Sequence, residues 1–185
     1  GKAQNVVQTV RSNPVGQRAD IMNGLLMLIT SARHYIYVQT PYFLPTEPMV
    51  AALRIAAMSG VDVRIMLPGR SDSILPYWGS RSFLDEMLSA GVRVYVFNGG
   101  FLHSKVGVSV DKVSSVGSTN VDFRSFENNF EINSFIYDSN TAIELCRHFK
   151  QQQSMCTKLS LSEWRRRSVV ARTVESFVRL LSPLL

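Results

Sequence analysis

His103 and Lys105 stand two residues apart in FLHSKVGVSV, and a strand there turns both side chains to one face. The turn Gly117-Ser118-Thr119-Asn120 follows, offering backbone N–H groups, a hydroxyl and an amide, and Glu131 opens the run EINSFIY. A cation, an imidazole and several neutral donors together suit the oxygens of a phosphate group. A carboxylate within reach holds the imidazole in one tautomer and raises its basicity. This is half of a phosphoryl-transfer site. His34 and His148 have no such company and read as ordinary exposed or satisfied side chains. Cys146 and Cys156 lie ten apart, with no partner at metal-ligand spacing, and read as free thiols in a reducing compartment. No metal or other cofactor is expected.

The elements that must position these groups alternate at first. Strands are expected at 4–10, 34–39, 61–67 and 92–97, and helices at 18–31, 47–58 and 78–89, the last two stopped by Gly60 and Gly91. That rhythm predicts right-handed crossovers. After Gly99-Gly100 it changes: strands at 103–110 and 113–116 form a hairpin around Asp111-Lys112, and a strand at 131–137 is followed by helices at 140–154 and 162–181. The expected fold is α/β, a mixed, largely parallel sheet with helices on both faces. Pro41-Tyr42-Phe43 follows a strand end, where ligand sites of such sheets form. It reads as site wall or plain packing. Ser71-Asp72-Ser73 and Tyr77-Trp78 read equally as the lining of an entry to the site or as an exposed loop. Arg124 reads as a phosphate contact or a partner of Glu127.

The 185 residues fit one domain, and 45% hydrophobic with 18% charged residues excludes collagen-like, disordered and cysteine-scaffold classes. No apolar run reaches the roughly 20 residues of a membrane span, and no signal peptide opens the chain, so a soluble piece is expected. The net charge is +6, and from Lys158 onward six basic residues face only Glu163 and Glu175. Two regions follow: a catalytic domain over 1–157 and a basic amphipathic helix over 158–185. Trp164, Val174, Phe177, Val178 and Leu181 share that helix's apolar face, which packs on the domain or meets an anionic membrane.

His103, Lys105, Gly117, Ser118 and Asn120 resemble the HKD motif of the phospholipase D superfamily. TPYFLP at 40–45, GGFLHSK at 99–105, GSTNVDFRSFENNFEIN at 117–133 and the closing LLSPLL resemble the C-terminal half of a bacterial cardiolipin synthase. One departure stands out. Val110 occupies the position of the motif's aspartate, and Asp111 is one residue late, which on a strand points it to the opposite face.

The resemblance implies phosphatidyl transfer between two phosphatidylglycerol molecules through a phosphohistidine, releasing glycerol. It implies His103 as general acid/base, Lys105, Ser118 and Asn120 on phosphate oxygens, and Glu131 orienting His103, without a metal. Only one motif is present, so the partners implied are the missing N-terminal half or a second copy, together with the phospholipid and a membrane surface. Nucleic acid is not expected. The full-length parent would sit at a bacterial inner membrane. The alternatives are a phospholipid hydrolase, a phosphodiester nuclease or a catalytically impaired fragment.

Overall fold

The computed structural model describes residues 5–14, 18–109 and 112–181; Val110 and Asp111, at the departure from the motif, lie outside the described residues. In chain order the elements are β1 (Val6–Ser12), α1 (Asp20–Thr30), β2 (Tyr35–Gln39), β3 (Phe43–Leu44), α2 (Glu47–Met58), β4 (Asp62–Pro68), α3 (Ile74–Ser82), α4 (Leu84–Ser89) and β5 (Arg93–Phe97). They continue as β6 (Val106–Ser109), β7 (Val113–Gly117), β8 (Val121–Asp122), α5 (Phe123–Glu127), β9 (Glu131–Tyr137), α6 (Ser139–Gln153), β10 (Cys156–Lys158), α7 (Leu161–Arg165) and α8 (Val169–Leu180).

The local reasons are ordinary. Gly60 and Gly91, each at φ +91°, take the left-handed turns that stop α2 and α4. Asp138 accepts the Thr141 N–H at 2.8 Å and starts α6. Along β2, Ile36 and Val38 face one side and Tyr37 the other; β4 divides Val63, Ile65 and Leu67 from Met66 in the same way. The first set packs under α1, α2 and α4, the second under α6 with Phe149 and Cys146. This is the expected α/β class, a mixed sheet with helices on both faces.

The sheet order is β1-β9-β7-β6-β2-β4-β5-β10. Its balance differs from the expectation of a largely parallel sheet. Among the described residues of this sheet only β2–β4 and β4–β5 are parallel; its other five pairs are antiparallel. Crossover helices join those central strands alone. β1 goes to the far edge beside β9, and the β6–β7 hairpin fills the space between, so antiparallel pairing dominates.

Two expected helices are each divided. The segment 78–89 lies in α3 and α4, which meet at Phe83, and the closing segment holds α7 and α8 with Arg166–Ser168 between them. The boundary at 157/158 falls inside β10, which pairs with β5 as an edge strand. The tail is docked. Trp164 and Val178 are buried, and Glu175, only 3% exposed, is held between Arg81 at 3.1 Å and Arg167 at 2.8 Å. The Arg167 guanidinium lies 3.4 Å from the centre of the Trp164 ring.

Candidate active site

One row of residues crosses the sheet where β2 and β7 end and β6 and β9 begin. Gln39 pairs with Val106, Val106 with Val116, and Gly117 with Asn133. The residues just beyond that row are the ones singled out from the sequence. The Gly117 N–H donates to the Lys105 carbonyl at 3.3 Å, and the Ser118 N–H to the Ile132 carbonyl at 2.9 Å. A side chain at Gly117 would collide with the Asn133 amide and the Ile132 backbone, so the close approach requires glycine.

His103 and Lys105 precede β6 and belong to no strand. The rule that brought them to one face does not apply, yet they meet. Buried Leu102 anchors the loop in the core beneath α6. The Lys105 Nζ lies 3.1 Å from both His103 ring nitrogens and donates to the His103 carbonyl at 2.9 Å. Phe101 stacks on the imidazole, centroids 5.4 Å apart. Lys105 is half-buried, and burial lowers its pKa, while the carboxylates of Glu131, Asp122 and Asp72 pull in the opposite direction. The ammonium is the cation of the site, the group to which a phosphate oxygen would be drawn, and the nearby carboxylates oppose that attraction.

The Ser118 hydroxyl donates to the Glu131 carboxylate and accepts the Ile132 N–H at 3.1 Å; Glu131 also accepts the Asn129 amide at 3.2 Å. Among the described residues these are the hydrogen bonds of Glu131, and none runs to His103. Asn133 buttresses the turn, accepting the Thr119 N–H at 3.3 Å and donating to Ser115 at 3.0 Å. Asn120 hydrogen-bonds the Asp122 carboxylate, and its Oδ1 is buried without a partner among the described residues.

Two residues with a part in the site went unread in the sequence. Asp122, 3% exposed, caps α5 through the Ser125 N–H at 2.6 Å as well as holding Asn120. Burial pushes its pKa up, against the hydrogen bonds of Ser125 and Asn120. An aspartate just before a short helix is an N-cap signal, and it was available. The other is Asn133, which follows no local pattern.

The short ladder β3–β8 brings in the TPYFLP segment. Phe43 pairs with Val121 and Leu44 with Asp122, and the Val121 N–H donates to Thr40 Oγ1 at 3.1 Å. Tyr42 thereby stands beside the Asn120 turn and donates its hydroxyl to Asp72 in the loop after β4. Burial, then the hydrogen bond and charge of Asp72, push the Tyr42 phenol up to about 12. Arg124 is exposed and makes no ion pair with Glu127 among the described residues.

The remaining candidates lie elsewhere. His34 is at the opposite end of β2, where its carbonyl accepts the Asp62 N–H, and His148 is exposed on α6. Cys146 and Cys156 are free. No group of His, Cys, Asp and Glu among the described residues could hold a metal ion, and no helix there is long and apolar enough to cross a membrane.

Solved structures share the fold. One is the phospholipase D family member Nuc from Salmonella typhimurium (TM-score 0.70, 19% identity, covering 84% of this chain and 99% of that one). Another is the phosphatidylserine synthase of Haemophilus influenzae (TM-score 0.76, 15% identity, 99% of this chain and 48% of that one). Among curated proteins, a cardiolipin synthase of Clostridium perfringens is 44% identical over 178 residues, 96% of this chain. The major cardiolipin synthase ClsA of Bacillus subtilis is 42% identical over 179 residues, 97% of this chain. The chain spans 37% of the length of each of these two relatives. The family model for the cardiolipin synthase, PLD-like domain, matches residues 25–153 and so takes in the His103–Lys105 pair, the Asn120 turn and Glu131. The chain belongs to the family of cardiolipin synthase PLD-like domains.

Proposed function

We propose that this domain is the C-terminal catalytic half of a cardiolipin synthase, moving a phosphatidyl group between two phosphatidylglycerol molecules. The observation that carries the reading is the convergence of an imidazole, the Lys105 ammonium and the Ser118–Glu131 pair at one sheet end. A histidine of a second motif attacks phosphorus, and the P–O bond to the leaving glycerol breaks as His103 donates a proton to that oxygen. The phosphohistidine is then attacked by a hydroxyl of the second phosphatidylglycerol, whose proton His103 takes. Cardiolipin and glycerol are the products.

Lys105, Ser118 and the second Asn120 amide hydrogen would stabilise the charge on the phosphate oxygens. When phosphate takes the Ser118 hydroxyl, Glu131 is released to hold the His103 ring. The second histidine comes from the missing half or from a second copy of the chain. Phe101, Phe130 and Ile132, all more than half exposed around the site, fit a surface that such a partner covers. The membrane surface supplies the substrate. Val169, Val170, Phe177 and Leu180, each at least 65% exposed, give α8 an apolar face to lay against it.

The test follows glycerol and cardiolipin from phosphatidylglycerol vesicles, using the chain alone and with a separately supplied first half. Product that disappears in His103→Ala is expected. Product unaffected by that substitution would overturn the assignment, and phosphatidic acid in place of cardiolipin would move the domain to the hydrolases.

A further inference from the structure

Beside Asp72, in the loop after β4 and the start of α3, lies an open hollow of about 400 Å³ that the phosphate chemistry does not use. Arg70, Ser71, Asp72, Tyr77 and Trp78 line it. The loop that lines it is tied down: the Ser71 hydroxyl donates to the Ser73 carbonyl at 2.9 Å, and the Gly69 N–H donates to the Phe97 carbonyl at 2.9 Å. Tyr42 is equally fixed, its carbonyl accepting the Thr40 hydroxyl at 2.7 Å. Tyr77 and Trp78 stand edge to face, centroids 5.5 Å apart.

A carboxylate close enough to act on Lys105 is a liability in a site for an anion, unless it serves another part of the ligand. Asp72 forms no ion pair among the described residues, and Tyr42 occupies only its Oδ1. A carboxylate carries about four lone-pair positions, so Asp72 can still accept two hydroxyl hydrogens on neighbouring carbons. The aromatic faces suit the C–H groups of such a polyol. Arg70, on the same wall, disfavours an ammonium headgroup, and Asp72 itself disfavours an acidic one.

We propose that Asp72, held in place by Tyr42, binds the vicinal diol of a glycerol headgroup in this hollow and selects it over other headgroups. The inference rests on the phosphodiester reading of the His103–Lys105 site and adds to it a specificity-determining residue outside the motif. Asp72 accepts from the diol while Lys105 holds the phosphate one ester bond away.

Binding is followed by Trp fluorescence with two monomeric lipids that differ only in the headgroup, dihexanoyl phosphatidylglycerol and dihexanoyl phosphatidylethanol. The diol lipid is expected to bind about tenfold more tightly, two hydrogen bonds to a charged group being sufficient for that. Asp72→Asn should remove most of the preference by weakening the diol lipid relative to phosphatidylethanol, and Tyr42→Phe should reduce it in part. Lys105→Ala should weaken both lipids alike. Equal binding of the two lipids by the unsubstituted chain, or a full preference surviving in Asp72→Asn, overturns the role of Asp72 and leaves the phosphate site standing. If neither lipid binds, the phosphodiester reading fails, and the inference falls with it.

Discussion

Lys105 places its ammonium 3.1 Å from both ring nitrogens of His103, although the two residues lie in an irregular segment. Their convergence comes from what surrounds that segment. Leu102 is buried on one side, Phe101 stacks on the imidazole, and the Lys105 carbonyl is tied to Gly117. The loop is shaped by its neighbours in the sheet.

Replacing Lys105 by Gln removes the charge and keeps much of the stem. Phosphatidyl transfer should fall about 10²–10³-fold, the range for losing one preorganised stabiliser of transition-state charge. Circular dichroism should be unchanged, since the ammonium is not part of the core. An intact rate would mean that phosphate charge is neutralised elsewhere.

Asp122 links the site to the core. Asp122→Ala removes the α5 cap and should cost about 1–2 kcal/mol in urea denaturation. It also frees Asn120, so kcat should fall by more than the loss of folded protein explains. Asp122→Asn keeps a capping oxygen and should recover stability better than rate.

Tyr37 and Tyr42 should both ionise near pH 12 in an ultraviolet titration, two units above the ordinary phenol at 10.0. The folded chain then keeps protons that the unfolded chain loses. Stability therefore falls as pH rises from 10 towards 12, and is unaffected by these groups below 10. Asp72→Asn should lower the Tyr42 value alone, because it removes the charge and weakens the hydrogen bond that oppose its ionisation.

Glu175 sits between two arginines with almost no exposure. Glu175→Gln should destabilise the fold by about 3–5 kcal/mol, the cost of leaving buried guanidinium charge without its counterion. Phe177→Glu lies on the exposed face of the same helix. It should leave the melting temperature nearly unchanged and weaken sedimentation with phosphatidylglycerol vesicles several-fold. Vesicle binding unaffected by Phe177→Glu would count against α8 as the membrane contact.

What was legible depended on whether the signal was local. The apolar alternation of EINSFIY and VRVYVF and the glycine stop after 47–58 fixed those elements to within a residue. The division of the expected 78–89 helix at Phe83 was not legible. Either continuous or broken helix satisfies the same apolar spacing, and packing of α4 under β5 selects the break. The tail shows the same thing: Trp164 enters the core on α7, and Val178 reaches it only after a turn at Arg166–Ser168.

The sequence by itself determined the candidate chemistry, because His103, Lys105, the Gly117–Asn120 turn and Glu131 stand out as candidates by residue type and spacing. It determined the α/β class for the same reason, since apolar periodicity is a property of neighbours in the chain. Only the tertiary structure decided that the sheet is mostly antiparallel, that Asp122 holds Asn120, and that Tyr42 meets Asp72 across thirty residues. Strand order and long-range hydrogen bonds depend on which distant surfaces bury each other best, and no local pattern encodes that choice.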